Sequence, residues 1–169
     1  KKNIFSTEFS KIIESDFIII CVPTPLTKNG NPDLSYISGA ITKIKPYLKQ
    51  GQVIVLESTS YPGTTFDYIV KVLNTRFEIG KNFFVGFSPE RIDPGRNENK
   101  IQKIPKVVSG NTSNCLEIIS KFYGSNFDKV FKSESILIAE FSKLLENVYR
   151  SVNIGFVNEM KIIADNGLP

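Results

Sequence analysis

The sequence predicts an α/β fold in which a mainly buried parallel sheet is followed by one long helix. The first observation is a set of three short apolar runs, at residues 17–22, 53–56 and 83–87. Each run is continuously apolar, which is typical of strands covered on both faces, as in a parallel sheet. The second observation is that helical patterns separate these runs, and the third is a proline-free tail. Alternation of strand and helix favours right-handed crossovers between parallel neighbours.

Two further strands are predicted at residues 106–109 and 129–131. Three amphipathic helices are predicted between the strands, because apolar residues recur at intervals of three and four. The first helix follows Pro32 and Asp33 and stops before Gly51, and the third is stopped by Gly124. The apolar faces are, in chain order, Leu34, Ile37, Ile41, Ile44 and Leu48; Phe66, Ile69, Val70, Leu73 and Phe77; and Cys115, Ile118, Ile119 and Phe122.

The tail, residues 133–166, contains no proline and only Gly155 as a weak point. It predicts one helix of about 34 residues, about 50 Å long at ~1.5 Å per residue. Because the helix is apolar on more than one side, it needs cover from more than one partner. We therefore expect two units, residues 1–132 and residues 133–169, the second connecting domains and contributing a dimer contact. The main apolar stripe comprises Leu137, Phe141, Leu144, Val148, Val152, Phe156 and Ile163.

Composition excludes several classes of function. The net charge is +4, and the basic residues are scattered without an aromatic stripe, which disfavours nucleic acid binding. The longest apolar run is too short to span a bilayer, and no signal peptide is visible, so a cytoplasmic location is expected. The chain has no histidine, and no metal site is predicted. Cys21 and Cys115 are both interpreted as small buried hydrophobic residues.

Three loops at predicted strand ends carry polar side chains on proline-stiffened backbone, at residues 22–26, 57–65 and 87–95. In open α/β sheets, ligands bind beyond the carboxyl ends of the strands. The alternative is that these are ordinary turn residues. In the second loop, Ser58, Thr59 and the turn at 63–65 lie where helix amides can meet a phosphate or a carbonyl group. A G-x-G-x-x-G loop is absent from the sequence.

On the long helix, Lys143 and Asn147 are four residues apart and therefore neighbours, and Arg150 follows Asn147 by three. The alternative for Lys143 is a solvated helix face. The alternative for Arg150 is an ordinary pair with Glu146, four residues before it. A lysine and an amide within an otherwise apolar helix are costly unless they are paired or used.

Five motifs together resemble the family of UDP-glucose, UDP-N-acetylhexosamine and GDP-mannose dehydrogenases. They lie at residues 21–25, 57–65, 88–95, 104–110 and 140–150, and they follow the order and spacing of that family. The resemblance implies the second half of a Rossmann-type parallel sheet, which binds NAD, followed by a long central helix that also builds a homodimer. It also implies that the Gly-rich loop and the catalytic cysteine loop of the family lie outside this chain, so that neither cysteine is the nucleophile.

The resemblance further implies roles for individual residues. Thr59 holds a water or substrate hydroxyl beside the nicotinamide, Glu90 contacts the reacting centre, and Lys143 and Asn147 stabilise a developing oxyanion. The implied cofactor contacts are Val22, Pro23, Thr24, Ser58, Thr59 and Glu90. The implied substrate contacts are Glu90, Arg91, Lys143, Asn147 and Arg150.

The same resemblance implies the reaction, a double NAD-dependent oxidation of the C6 hydroxyl of a UDP-sugar to a carboxylate. Arg91 and Pro94 favour the UDP-N-acetylglucosamine branch, because UDP-glucose enzymes carry an apolar residue and a second glutamate at these positions. In the family, that second glutamate is assigned to the hydrolysis of a thioester intermediate. With Pro94 at its position, the group that drives this hydrolysis is left open. The alternatives are another nucleotide-sugar 6-dehydrogenase, or a non-catalytic nucleotide-binding or assembly module. For Arg91, the alternative is a surface pair with Glu90 or Asp93.

Overall fold

The computed structural model describes residues 4–91 and 101–167. Five strands form the sheet, and their lengths match the short buried runs of the sequence. Each begins or ends within two residues of its predicted bounds. The strands are β1 (Phe17–Ile20), β2 (Val53–Leu56), β3 (Phe84–Phe87), β4 (Lys106–Gly110) and β5 (Val130–Lys132).

The strand order is β1-β2-β3-β4-β5, and one of the four pairings departs from the parallel prediction. The β1–β2, β2–β3 and β4–β5 pairs are parallel, and each is joined through a helix. The β3–β4 pair is antiparallel, and of the residues described between these two strands only Ile101–Lys103 are helical, in one 3₁₀ turn. As a result, the amino end of β4 lies at the same edge as the carboxyl ends of β1 to β3.

Two glycines face each other where the sheet reverses direction. Gly86 of β3 is paired with Gly110 of β4. A Cβ atom on Gly86 would lie 2.1 Å from the Ser109 carbonyl oxygen, and one on Gly110 would lie 2.2 Å from the Leu116 amide nitrogen. Both distances are far below van der Waals contact. Only glycine therefore fits at this seam.

The helices follow the predicted periodicity with some shortening. A 3₁₀ segment (Phe9–Glu14) precedes β1, and α1 spans Ser35–Ile44. A π-type segment (Phe66–Val70) leads into the short α2, Lys71–Leu73. The third helix, α3, spans Ser113–Gly124 and ends at the predicted glycine. The long helix α4 spans Ile136–Asp165, 30 residues. It begins at Ile136 because the Ser135 side chain caps it by accepting from the Ile138 amide.

The core has two layers, one on each face of the sheet. On one face, α1, the 66–73 segment and the start of α4 pack against Ile54, Leu56 and Phe87. All five apolar residues predicted for the first helix are buried there. On the other face, α3 packs Cys115 and Ile119 against Val53, Val55 and Val108. The predicted face of α3 therefore points to the sheet, although Tyr123, which the periodicity missed, is buried with it.

The long helix leaves the sheet soon after it begins. Only Ile136, Ala139 and Glu140 are buried, all within its first two turns. Every member of the predicted apolar stripe is exposed within this chain, Val152 by 65% and Phe156 by 64%. In the part of the chain that the structure describes, no helix is both long and apolar enough to cross a membrane.

Candidate functional site

The loops after β1 and β2 are tied together by one hydroxyl. The Ser58 Oγ atom accepts from the Val22 amide and donates to the Val22 carbonyl, both at 2.8 Å. Ser58 is buried, so its side chain fixes the direction in which the chain leaves β1. The predicted cofactor residues Val22 and Ser58 thus meet, and the polar backbone groups of Val22 are already paired.

Other predicted residues of this edge remain open to solvent. Pro23, Thr59 and Glu90 are exposed, and Thr24 is half-buried. They follow three neighbouring strands whose carboxyl ends share one edge of the sheet. A cavity of about 430 Å³ reaches this edge at Val22 and is otherwise lined by residues that include Tyr36 and Lys43 of α1. The edge therefore combines a rigid backbone with accessible hydroxyl and carboxylate groups.

A buried ionic cluster underlies this edge, and the sequence patterns did not reveal it. Lys106 Nζ lies 3.1 Å from Glu57 Oε1 and 3.6 Å from Glu90 Oε2, and its side chain is only 5% exposed. Tyr123 donates a short hydrogen bond to Glu57. Burial, and then the Glu57 carboxylate, raise the pKa of Tyr123 far above its ordinary value, so the phenol stays protonated. Because β4 is antiparallel, Lys106 at its amino end reaches this edge.

Glu90 and Arg91 connect the sheet edge to α4. The Arg91 amide donates to Glu90 Oε1 at 2.7 Å, and an Arg91 guanidinium nitrogen lies 2.5 Å from Glu146 Oε1. Within the part of the chain that the structure describes, Glu146 is thus paired with Arg91 and not with Arg150, the partner that helical spacing predicted. Among the described residues, the buried Arg91 Nε atom has no hydrogen-bond partner. The Asp93 and Pro94 positions lie outside the described residues.

Lys143 is half-buried on the face of α4 that looks toward this edge. Its pKa is lowered, first by burial, against the opposing influence of Glu146. Arg150 and Arg91 lower the pKa further, and Glu90 raises it. Lys143 is therefore less solvated than a residue on a fully exposed helix face. Asn147, one turn later, is also half-buried, whereas Arg150 is exposed.

The turn at 63–65 differs from its prediction as an anion-binding site. The amides of Gly63 and Thr65 donate to the two carboxylate oxygens of Glu140, at 2.6 and 2.8 Å. The Thr65 hydroxyl donates to the same carboxylate at 2.7 Å. A phosphate cannot occupy these amides because a protein carboxylate, from a helix far away in sequence, already does.

The two cysteines differ, and the prediction of two buried residues is wrong for one of them. Cys115 is buried under β3, where the Val85 amide lies 3.5 Å from its Sγ atom. Cys21 is exposed, because β1 ends at Ile20 and Cys21 already belongs to the open edge. Partial burial of its thiol and the nearby Glu57 raise the pKa of Cys21, which disfavours a reactive thiolate.

The structure brings four of the predicted residues into one neighbourhood, because Glu90, Arg91 and Arg150 are all close enough to Lys143 to influence its pKa. Thr59 and Asn147 stand on the same two elements, the β2 loop and α4. No hydrogen bond or ion pair between described residues joins either of them to Lys143. Sequence reasoning assigned no role to Lys106, Tyr123 or Glu140, although Lys106 and Glu140 both lie in motifs of the family resemblance, at 104–110 and 140–150.

A family model, described as the UDP-glucose/GDP-mannose dehydrogenase family, NAD binding domain, matches residues 1–127. This chain belongs to that family. The α/β fold with its mostly parallel sheet and long final helix is accordingly that of a Rossmann-like NAD-binding domain, and the cofactor of the matched domain is NAD. Both predictions are confirmed.

Individual proteins of this family are similar to the chain over most of its length. Protein CapL of Staphylococcus aureus is 42% identical over 164 residues, which are 95% of this chain and 39% of CapL. UDP-N-acetyl-D-glucosamine 6-dehydrogenase of Salmonella typhi is 39% identical over 162 residues, 94% of this chain and 38% of the relative. The solved structure of a UDP-D-ManNAc dehydrogenase from Pyrococcus horikoshii matches with a TM-score of 0.87 at 32% identity, covering 96% of this chain and 39% of that one. The chain therefore spans about two-fifths of the length of these proteins.

Proposed function

We propose that this chain belongs to an NAD-dependent 6-dehydrogenase that oxidises a UDP-N-acetylhexosamine, UDP-N-acetylglucosamine in the first place, for the synthesis of a surface polysaccharide. One observation carries the proposal. Lys143 of α4 is partly desolvated, its pKa is lowered, and it lies within electrostatic reach of Glu90 and Arg91 at the ligand-binding edge. The names of the Salmonella typhi and Pyrococcus horikoshii relatives support an N-acetylated substrate.

The residues at the edge suit NAD. Ser58 holds the chain after β1, so that Val22, Pro23 and Thr24 present a fixed surface beside the cavity. Thr59 and Glu90 are exposed at the same edge of the sheet, where they would contact the nicotinamide ring of bound NAD. Bound NAD would supply the hydride acceptor for oxidation at the C6 carbon of the sugar. The phosphate-holding loop of such a site is proposed to lie in a part of the polypeptide that this chain does not include.

The substrate oxygen that is oxidised is stabilised by a positive charge and an amide donor. Lys143 and Asn147 donate hydrogen bonds to the oxygen on which negative charge develops, which stabilises the transition state in a closed site. A lysine whose pKa is lowered by burial can also take up the hydroxyl proton. Arg91 and Arg150 orient the sugar nucleotide, and the Arg91 Nε–H group, which has no hydrogen-bond partner among the described residues, is the donor that we propose for an acetamido carbonyl.

The exposed apolar stripe of α4 indicates which partners we propose for this chain. The stripe from Leu144 to Ile163 is exposed in this chain, and we propose that a second copy and the sugar-nucleotide domain cover it, with residues 133–169 as the interdomain helix. The same stripe supports the second candidate, a non-catalytic assembly module. A complete polypeptide that assembles but gives no NADH with NAD and any UDP-hexose would favour the module.

The first test replaces Lys143 and Asn147 by alanine, one at a time, in the complete polypeptide. Each change is expected to lower kcat by about 100-fold or more, the scale of losing one oxyanion donor. The KM for the sugar is expected to change much less, as NADH production will show. Lys161→Ala, on the exposed end of the same helix, is the matched control. Near-wild-type kcat in either site variant would assign that residue a purely structural role.

The second test concerns substrate choice. Arg91→Met is expected to reduce kcat/KM for UDP-N-acetylglucosamine by about 10- to 100-fold and to leave kcat/KM for UDP-glucose less affected, because a lost donor matters most where the substrate offers an amide. The unmodified enzyme should prefer UDP-N-acetylglucosamine. Equal values for the two sugars, or a preference for UDP-glucose, would remove the acetamido assignment and leave the 6-dehydrogenase proposal standing.

A further inference from the structure

Glu140 is a fully buried carboxylate that none of the proposed catalytic steps uses. It stands on α4, and its three donors, the Gly63 amide, the Thr65 amide and the Thr65 hydroxyl, all stand on the loop after β2. A buried carboxylate is costly unless hydrogen bonds satisfy it. Here both oxygens are satisfied at 2.6 to 2.8 Å, which makes the contact a specific connection between two elements distant in sequence.

The donors belong to the start of the helical segment that continues from Phe66. Amides in the first turn of a helix lack partners within the helix and carry a positive partial charge. Thr65, at the N-terminal boundary of this segment, makes no cap within its own element. Glu140 supplies the missing acceptor from α4, so the segment and α4 complete each other at this point.

Glu140 lies close to the proposed catalytic residues along α4, so its contact with the β2 loop affects their position. Glu140 is the last buried residue of the helix, and Lys143 and Asn147 follow it by three and seven residues. At ~1.5 Å per residue, they lie only about 4.5 and 10.5 Å further along the axis. Thr59 stands in the same loop as the donors. The position of Lys143 relative to Thr59 therefore depends on this carboxylate.

We propose that Glu140 is a positioning residue that fixes the oxyanion-binding face of α4 against the loop of β2. The inference rests on the proposed dehydrogenase function. The second connection beyond it, Arg91 to Glu146, involves partly exposed side chains and holds the helix less firmly. Displacing a catalytic group by about 1 Å can reduce the rate by about 100-fold even when the change is made elsewhere.

The test is Glu140→Gln in the complete polypeptide. Glutamine keeps the size of the side chain but points an NH₂ group at donors that need an acceptor. We expect kcat to fall by about 10- to 100-fold per folded molecule, with the KM values for NAD and the UDP-sugar within about threefold of the parent. Glu117→Gln, which removes an exposed glutamate of α3, is the matched control and should leave kcat unchanged.

A milder variant keeps the test decisive if Glu140→Gln does not fold. Thr65→Val removes one donor of three and should lower kcat by about 3- to 10-fold. The double variant should lose less than the product of the two single losses, because both changes break the same contact. Unchanged kcat per folded molecule in Thr65→Val, or in Glu140→Gln, would overturn the inference. If Lys143→Ala loses activity while these variants keep it, only the positioning role fails; if all three keep it, the proposed function fails as well.

Discussion

Helices α1 and α4 carry the same apolar periodicity and have opposite surroundings. Ile41 of α1 is 1% exposed, whereas Val152 of α4 is 65% exposed, although each continues an i, i+3, i+4 pattern. The pattern determines that a helix forms and which side of it is apolar. It does not determine what covers that side. In α1 the sheet of the same chain provides the cover, whereas α4 requires another surface.

The comparison is sharpest in stability. Ile41→Ala should lower the free energy of unfolding of this chain by about 2–5 kcal/mol, because it leaves a cavity in a closed core. Val152→Ala, the matched change on α4, should alter it by no more than about 0.5 kcal/mol, because nothing in the chain packs there. Urea unfolding followed by circular dichroism gives both values. Equal losses would mean that α4 is folded back onto the domain.

For association with a second copy, substitutions in α4 should have larger effects than substitutions elsewhere on the surface, the reverse of their effects on stability. Val152→Asp combined with Phe156→Asp is expected to weaken dimerisation of the complete polypeptide by at least about tenfold in Kd, because carboxylates would be buried in an apolar interface. Sedimentation velocity across a concentration series measures this. Tyr47→Asp, an exposed aromatic residue far from α4, is the control. An unchanged Kd would assign the stripe to a different partner.

The smallest effect tests the stretch around Glu146, where the described residues link α4 to the sheet edge by charge. Glu146 raises the pKa of Lys143, so Glu146→Gln should lower that pKa further. NMR titration of the Lys143 side chain follows it. Since the folded-state pKa is depressed, the unfolded chain binds more protons between the folded and unfolded values, and stability rises with pH through that window. A rise in the Lys143 pKa would show that Glu146 does not face it.

Local patterns predicted the five strands and the buried face of α1 because each is a property of neighbours in sequence. The direction of β4 was not predicted. An apolar run is compatible with either strand direction, and only the pairing of β4 with β3 in the structure distinguishes the two.

The candidate site also contains residues that local patterns singled out and residues that they did not. The residues after strands β1, β2 and β3 were found because strand ends mark the ligand edge. Lys106 is the first residue of β4, at the end of that strand where no ligand site is expected, and Glu140 lies in a motif without any local sign of its partners on the β2 loop. Contacts between distant segments of this kind leave no periodic trace. They are visible only once the sheet order places the segments side by side.

The glycine pair at the β3–β4 seam has a consequence for the evolution of the family. Since a single added carbon at Gly86 or Gly110 would collide with main-chain atoms, no gradual series of substitutions passes through either position. Flexible side chains can yield, whereas a backbone can move only together with α3. Divergence is therefore expected to accumulate around this seam and not in it, so the two glycines should serve as fixed reference points for aligning remote relatives whose loops have changed beyond comparison.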